Sequence, residues 1–207
     1  MNWSDEAGRL YAILDPSCFS TPQLLFEAAE ELVAAGVTLI QYRNKSADAP
    51  AMLAHARELK ARVGSRAKLI MNDRADLCVA AQFDGVHLGQ DDLSPASARK
   101  IIGSERWLGV STHNPEQVAE ADRTSADYIA IGPVFATASK VNHDPIIGLA
   151  GVRRASELSG KPVVAIGGIT RLNCQSVIEA GADSVAVISD LVRDPSKSAE
   201  EFLRILG

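Results

Sequence analysis

The sequence predicts a single-domain (β/α)8 TIM barrel, an α/β fold in which each strand is followed by a helix. Short apolar, β-branched runs alternate with longer segments of helical spacing, and eight such units can be counted along the chain. The connections are short, which favours parallel strands joined by right-handed crossovers. No linker or change of composition divides residues 1–207, so one barrel near the lower size limit of this architecture accounts for the chain.

The predicted strands have the continuous apolar character of parallel strands that are covered on both faces. They span residues 9–14, 38–43, 68–71, 85–88, 107–110, 128–131, 162–166 and 184–188. Most of them are followed by a polar residue or a glycine, which marks the point where the chain leaves the sheet.

Start and stop signals delimit several helices between these strands. Three helices are predicted to begin where a capping residue precedes a proline, at Thr21-Pro22, Ser94-Pro95 and Asn114-Pro115. Gln117 occupies the position of a capping-box partner for the third helix. Gly36 would end the first helix, and a later helix over 172–180 would end at Gly181.

Composition and charge exclude several classes of protein. Lys and Arg number 21 against 26 Asp and Glu, and no basic run suggests a nucleic-acid or membrane partner. The N-terminus lacks the pattern of a signal peptide, and no apolar run is long enough to span a membrane, so we expect a cytoplasmic protein. The sequence does not indicate an oligomeric state.

The cysteines indicate neither a disulfide framework nor a zinc site. Cys18, Cys78 and Cys174 are odd in number, scattered and without a C-x-x-C spacing. We interpret them as reduced packing residues.

The second strand ends in a run of polar residues that points to an anion. Active sites of such barrels lie at the carboxyl ends of the strands. Period-two alternation places Gln41, Arg43 and Lys45 on one face and Tyr42 and Asn44 on the other. A solvated strand end is the alternative, but two cations and an amide aimed into the barrel mouth favour anion binding.

The third and fourth strands end in carboxylates that suggest Mg²⁺. Asp73 follows Asn72 at the third strand, and Asp91 and Asp92 follow the fourth. Because neighbouring strands lie about 4.8 Å apart, Asp73 and one of the other two can reach a common point. Mg²⁺ takes one or two protein carboxylates and completes its shell with phosphate oxygens and water. Alternatively, Asp73 and Asp92 cap the helices that follow them.

A second anion site is predicted at the later strands. Gly167-Gly168 follows the seventh strand, and Ile188-Ser189 ends the eighth. Loops at these two positions form the usual phosphate site of the barrel, where glycine lets the backbone approach closely. A simple tight turn is the alternative for the glycine pair. The longest irregular segment, 133–146, adds hydroxyls and a cation at Thr137, Ser139 and Lys140.

The motifs that the sequence lacks disfavour several reaction classes, and the positions of its histidines indicate which of them could take part in catalysis. The chain has no G-x-S-x-G, Walker-type, H-E-x-x-H or G-x-G-x-x-G motif, which disfavours hydrolase triads, P-loop NTPases and hydride transfer. We expect His55 on a helix surface and His87 as a hydrogen-bonded core residue. His113 and His143, in loops at the active end, are candidates for acid-base chemistry.

These segments together resemble the thiamine-phosphate synthase family. The resemblance extends from Tyr11 to Ser189 and rests on eight segments in order, namely YAILD, LIQYRNK, LIMNDRADL, DGVHLGQDDL, LGVSTHN, ADYIAIGPVFATASK, VVAIGGI and GADSVAVIS. It implies a (β/α)8 barrel that condenses 4-amino-2-methyl-5-(diphosphooxymethyl)pyrimidine with 4-methyl-5-(2-phosphooxyethyl)thiazole, or its carboxylate. The product would be thiamine phosphate, and this C–N bond-forming transferase would release diphosphate in a dissociative, Mg²⁺-assisted substitution.

The resemblance also implies roles for individual residues. The pyrimidine diphosphate would be held by Gln41, Arg43, Lys45, Asn72, Ser111 and Lys140, and its departing charge would be stabilised by Arg43, Lys45 and Lys140. Asp73 and Asp92, rather than Asp91, would bind Mg²⁺. The thiazole phosphate would face Thr137, Ser139, Gly168, Ile188 and Ser189. Asn44, Ser139 and Ser184 depart from the residues common in the family, but none of these changes removes a ligand.

Two other functions compete with this interpretation. A thiazole tautomerase of the same fold would bind a thiazole phosphate and use acid-base groups, without needing the cations or the aspartates. A non-catalytic sensor of phosphorylated metabolites would bind without turnover and would need an interaction surface or a further domain.

Overall fold

Eight parallel strands close into a barrel in sequence order, which confirms the predicted fold class. The structure is a computed structural model that describes Trp3 and residues 7–137 and 144–207. Within these residues β1 pairs with both β2 and β8 and so closes the barrel. The strands are β1 (Leu10–Leu14), β2 (Leu39–Tyr42), β3 (Lys68–Asn72), β4 (Gly85–Leu88), β5 (Trp107–Thr112), β6 (Tyr128–Ile131), β7 (Val163–Ile166) and β8 (Ser184–Val187).

A helix follows each strand in the described part of the chain. The α-helices are α1 (Pro22–Ala34), α2 (Ala49–Val63), α3 (Ala75–Ala80), α4 (Pro95–Ile102), α5 (Pro115–Asp122), α6 (Gly148–Leu158), α7 (Cys174–Glu179) and α8 (Pro195–Leu206). Short 3-10 helices at Pro16–Cys18 and Ser189–Leu191 lie in the loops after β1 and β8. None of the helices described is long and apolar enough to cross a bilayer.

The predicted helix starts are confirmed, whereas one predicted helix is too long. Thr21, Ser94 and Asn114 each accept a hydrogen bond from a backbone N–H in the first turn, and proline follows each of them. Helix α7 is shorter than the predicted 172–180. Side chains form a turn before it, because Thr170 Oγ1 accepts from the N–H of Leu172 and Asn173 Oδ1 accepts from the N–H of Thr170.

Two apolar layers result from the alternation of side chains along the strands. Tyr11 and Ile13 of β1 belong to a cluster inside the barrel, whereas Leu10, Ala12 and Leu14 pack in the layer between the barrel and the helices. The same alternation in the other strands fills most of the barrel interior with apolar side chains, and Gln41, Asn72 and Ser111 are polar inward residues at the carboxyl ends. This end of the barrel therefore carries the functional groups.

Two of the three cysteines pack as predicted. Cys78 and Cys174 are buried, but Cys18 is exposed at the end of the first 3-10 helix. The packing interpretation is therefore wrong for Cys18, because no residue of the short helix Pro16–Cys18 is buried.

Three aspartates each connect one strand to the strand before it through a side-chain hydrogen bond. An aspartate stands directly before β4, β6 and β8, and its carboxylate accepts from a backbone N–H near the start of the preceding strand. The pairs are Asp84 with Leu69 at 2.9 Å, Asp127 with Leu108 at 2.7 Å and Asp183 with Val163 at 2.7 Å. Each such bond satisfies an amide that the strand ladder leaves unpaired.

Replacing one of these aspartates should lower stability without touching the active end. In Asp127→Ala, the N–H of Leu108 loses its acceptor and Arg99 loses an ion pair of 2.6 Å. Because bonds to charged groups contribute more than neutral ones, we expect the free energy of unfolding to fall by about 2 kcal/mol. Urea denaturation measures it, and Asp127→Asn is the control, since its amide oxygen can still accept from Leu108. An unchanged Asp127→Ala midpoint would contradict the assigned role.

Candidate active site at the carboxyl ends of the strands

Two adjoining cavities open at the carboxyl ends of the strands. The larger, of about 720 Å³, is lined by the predicted residues Gln41, Arg43, Lys45, Asn72, Asp73, Asp92 and Ser111. The smaller is lined by Thr137, Gly168, Ile188 and Ser189. Ser111, His113 and Asp144 line both cavities, so every predicted site residue that the structure describes lies at one mouth. Ser139, Lys140 and His143 lie outside the described residues.

The end of β2 separates its side chains as the alternation predicts. Gln41 is buried inside the barrel, whereas the Tyr42 hydroxyl lies outside, 3.0 Å from His55 Nδ1. Asn44 donates to the Tyr42 hydroxyl over 3.0 Å and accepts from two backbone amides of the following loop. Asn44 therefore folds the loop that carries Lys45. The surface assignment of His55 is wrong, because its ring is half-buried between Tyr42 and Phe26.

The two cations of this segment line the larger cavity and are each paired with a carboxylate. Arg43 pairs with Asp15, and Lys45 pairs with Asp73. Asp15 is itself fixed by the backbone N–H and hydroxyl of Ser17, at 3.0 and 2.7 Å. The Arg43 side chain is only 14% exposed, which disfavours a solvated strand end as an explanation for Arg43, whereas the Lys45 side chain is 54% exposed. A guanidinium has five N–H donors, and its remaining donors suit an anion in the cavity.

Neither aspartate of the predicted metal site caps a helix. Helix α3 has no side-chain cap, and α4 is capped by Ser94. Asp92 instead accepts from the N–H of Gly89 over 2.7 Å, and Asp73 adopts a left-handed backbone conformation with φ of 61°. An N-cap residue typically has extended backbone angles, which Asp73 lacks. The helix-cap alternative is therefore excluded.

Asp92 lies close enough to Asp73 to make ionisation of the Asp73 carboxyl more costly. Burial raises the pKa of Asp73, and its hydrogen bond with Asp92 raises the pKa further, while Lys45 acts in the opposite direction. Beside them, Asn72 Nδ2 is buried and has no hydrogen-bond acceptor among the described residues. The carboxylates of Asp73 and Asp92 suit a bound cation, and the unpaired Nδ2 donor of Asn72 suits an anion bound next to it.

The carboxylate pair fits Mg²⁺ better than a metal that needs a complete protein shell. No group of three or more His, Cys, Asp or Glu side chains in the described ranges could hold a metal ion. Two carboxylates are sufficient for Mg²⁺, which usually keeps several waters and completes its shell with phosphate oxygens of the substrate.

A buried hydrogen-bond chain below the larger cavity was not predicted as a site feature. Gln41 Nε2 donates to the Tyr11 hydroxyl over 2.8 Å, and that hydroxyl lies 3.0 Å from the Tyr128 hydroxyl. Tyr128 in turn lies 3.0 Å from His87 Nδ1, and His87 Nε2 lies 2.9 Å from Ser111 Oγ. His87 is thus a hydrogen-bonded core histidine, as expected. Burial raises the pKa values of Tyr11 and Tyr128, which keeps both phenols neutral.

His113 stands between the two cavities with its orientation fixed. Its Nδ1 donates to the carbonyl of Gly132 over 2.6 Å and lies 3.7 Å from the carboxylate of Asp144. Its backbone N–H donates to Gln117 Oε1 over 2.7 Å. The predicted capping box is therefore shifted, because Gln117 reaches the residue before the N-cap Asn114.

The smaller cavity depends on a glycine pair. Gly167 and Gly168 have φ values of 104° and 64°. A Cβ on Gly168 would lie 2.5 Å from the carbonyl oxygen of Ala136, so the loops after β6 and β7 approach each other too closely for a side chain. The pair is thus more than an exposed tight turn, since both glycines line the cavity to which Ser189 also contributes.

The chain is similar over nearly its whole length to proteins of one family. A family model described as thiamine monophosphate synthase matches residues 10–191. The chain is 59% identical over 201 residues to the thiamine-phosphate synthase of Koribacter versatilis, covering 96% of this chain and 95% of the relative. It is 42% identical over 204 residues to that of Chloroflexus aurantiacus, covering 96% and 92%. Thiamine phosphate pyrophosphorylase from Pyrococcus furiosus matches with a TM-score of 0.89 and 32% identity, over 99% of this chain and 98% of that one.

Proposed function

The chain belongs to the thiamine monophosphate synthase family, and we propose that its two cavities hold the two substrates from which this transferase forms thiamine phosphate. The larger cavity would bind the pyrimidine diphosphate and the smaller one the thiazole phosphate. The observation that carries this assignment is the presence of two distinct cavities at one mouth, which adjoin at Ser111 and His113. Two phosphorylated substrates bound there would meet at the wall that the cavities share.

The diphosphate fits the groups gathered at the ends of β2 to β5. Arg43 and Lys45 supply positive charge, and the unpaired Nδ2 of Asn72 supplies a buried donor. Ser111 adds a hydroxyl, and Gln41 would face the pyrimidine ring. Asp73 and Asp92 would hold Mg²⁺, which when bound would neutralise charge on the diphosphate.

The thiazole phosphate fits the glycine and hydroxyl groups of the smaller cavity. Gly168 brings backbone close to the ligand, and Thr137 and Ser189 carry hydroxyl groups at its edge. Ile188 is buried beside them and offers apolar contact to the thiazole ring. Ser139 and Lys140 remain sequence predictions for the same loop.

In this reaction the protein mainly stabilises the charge of the leaving diphosphate and aligns the two substrates. The C–O bond from the pyrimidine methylene to the diphosphate breaks, and the thiazole nitrogen uses its lone pair to form the new C–N bond. Arg43 and Lys45 would stabilise the negative charge of the leaving diphosphate. The two cavities would hold the nucleophile in line with the methylene carbon. Because the thiazole nitrogen has no proton to lose, the bond-forming step needs no general base.

The competing functions account for fewer of these features. A thiazole tautomerase would have no use for the Arg43 and Lys45 cations or for the Asp73 and Asp92 carboxylates. A sensor would need only binding. The condensation uses both cavities together, and the cytoplasmic location expected from the sequence agrees with small-molecule substrates.

Product formation tests the proposal directly. The purified chain is incubated with the pyrimidine diphosphate and thiazole phosphate, with Mg²⁺ or with excess chelator, and thiamine phosphate is measured by its fluorescent oxidation product. We expect Mg²⁺-dependent product and an equal amount of released diphosphate. Tight binding of thiazole phosphate with no product in either buffer would favour a tautomerase or a sensor, and a separate isomerisation assay would distinguish those two. Replacing the thiazole phosphate by its carboxylate shows which nucleophile is preferred.

A further inference from the structure

Arg171 links the two loops that form the smaller cavity. It lies in the loop after β7, three residues beyond Gly168. Its Nε and Nη2 donate to the two oxygens of Asp190, each over 3.1 Å, and its backbone N–H donates to the same carboxylate over 2.9 Å. Three bonds to one carboxylate fix the distance between the loop after β7 and the loop after β8.

The same guanidinium is anchored to the outer layer of the barrel. Its Nη1 donates to Glu201 of α8. The Arg171 side chain is about one-third exposed and does not line either cavity. A bidentate arginine–carboxylate pair that is joined to a second carboxylate holds its geometry better than an isolated surface ion pair does.

The residues tied together by Arg171 stand next to residues that line the cavity. Asp190 follows Ser189 directly, and Gly168 is held through its carbonyl, which accepts from Asn173 Nδ2 over 3.0 Å. Asn173 also fixes the N–H of Thr170 within the same loop. Each wall of the cavity therefore has a fixed support behind it, and the Arg171–Asp190 pair sets the spacing between the two walls.

We propose that Arg171 is a positioning residue for the thiazole phosphate, acting through Asp190 to hold Ser189 opposite Gly168. The inference rests on the proposed assignment of this cavity. Binding of a small anion is sensitive to displacements of about 1 Å in its donors. Loss of the pair would thus weaken the thiazole phosphate site and leave the diphosphate site, formed by other loops, unaffected.

Steady-state kinetics with each substrate varied in turn test this inference. In Arg171→Met, which keeps the length of the side chain and removes its donors, we expect the KM for thiazole phosphate to rise about tenfold. The KM for the pyrimidine diphosphate and kcat should stay within about twofold of the wild-type values. The KM of Arg171→Lys for thiazole phosphate should lie between those of the wild type and Arg171→Met. A single ammonium group cannot reproduce the planar guanidinium donors that contact both Asp190 and Glu201.

Arg154→Met is the matched control. Arg154 forms an exposed ion pair of 3.3 Å with Glu157 on α6 and should change neither KM. An equal rise of both KM values in Arg171→Met, or a fall in melting temperature with no change in the thiazole phosphate KM, would overturn the inference in favour of a purely structural role.

Calorimetry separates this inference from the proposed function. If the wild-type chain forms no thiamine phosphate, the proposed function fails, and titration with thiazole phosphate alone then decides the role of Arg171. If thiazole phosphate binds Arg171→Met more weakly than it binds the wild type and Arg154→Met, the positioning role of Arg171 is supported. Equal affinity, or binding to none of the three, overturns it.

Discussion

Asp92→Asn is expected to lower kcat/KM for the pyrimidine diphosphate on the order of 10³-fold, equivalent to about 4 kcal/mol of transition-state stabilisation. The asparagine keeps the size of the side chain, and its amide oxygen can still accept from the N–H of Gly89, as Asp92 does over 2.7 Å. What is lost is one of the two charges proposed to hold Mg²⁺. Steady-state kinetics over a range of Mg²⁺ concentrations measure the effect.

Stability should not account for this loss. Asp73 and Asp92 repel each other when both are ionised, and removing one charge relieves that repulsion. We therefore expect the melting temperature of Asp92→Asn in metal-free buffer to equal or exceed that of the wild type.

Asp91→Asn is the control for the metal site, since it removes the same charge from the neighbouring, exposed position. Its kcat/KM should stay within about threefold of the wild-type value. Equal losses in the two variants would show that the local charge, rather than a carboxylate at Asp92, supports the reaction.

The sequence predicts the barrel and the residues at its mouth because both depend on local periodicity. Alternation along β2 places Gln41 inside the barrel and Tyr42 outside, and Arg43 continues it just beyond the strand. Lys45 reaches the same cavity from the loop after β2, which Asn44 folds. Helix starts at Ser94 and Asn114 are equally local, since a capping side chain bonds within its own first turn.

Features that depend on distant partners could not be predicted in this way. Asp73 and Asp92 fit a helix cap and a metal site equally well in sequence, and only the position of Ser94 and Gly89 decides between them. Tyr11 and Tyr128 bond to each other across 117 positions of the chain. Their spacing carries no signal, because contact between β1 and β6 exists only once the barrel closes.

The position of Gly109 within a predicted strand is the one sequence feature that indicates this buried hydrogen-bond chain. A glycine within a strand costs conformational entropy and often marks a close approach by another group. Gly109 pairs with His87 of β4 on one side and with Tyr128 of β6 on the other. Its missing side chain provides the space in which the Tyr128 hydroxyl reaches His87 Nδ1.

Gly109→Ala should be strongly destabilising. A Cβ at this position would lie 2.1 Å from Tyr128 Cζ and 2.5 Å from His87 Nδ1. The Tyr128 ring cannot move aside, because it is fully buried and packs against Trp3 and Tyr11. Overpacking and the loss of a buried hydrogen bond together should lower the free energy of unfolding by about 4 kcal/mol or more, a large part of the stability of an ordinary domain.

A double-mutant cycle distinguishes this steric conflict from a general effect of alanine in the chain. Gly160→Ala is the control, since its Cβ would lie 3.7 Å from the nearest atom, in ordinary contact, and should change stability by less than about 1 kcal/mol. Tyr128→Leu removes the ring that Gly109→Ala would strike. Adding Gly109→Ala to Tyr128→Leu should therefore cost about 2 kcal/mol less than adding it to the wild type, because the two changes act on one contact. Additive costs in urea denaturation would show that the alanine perturbs the strand itself, and that Gly109 does not serve to admit Tyr128.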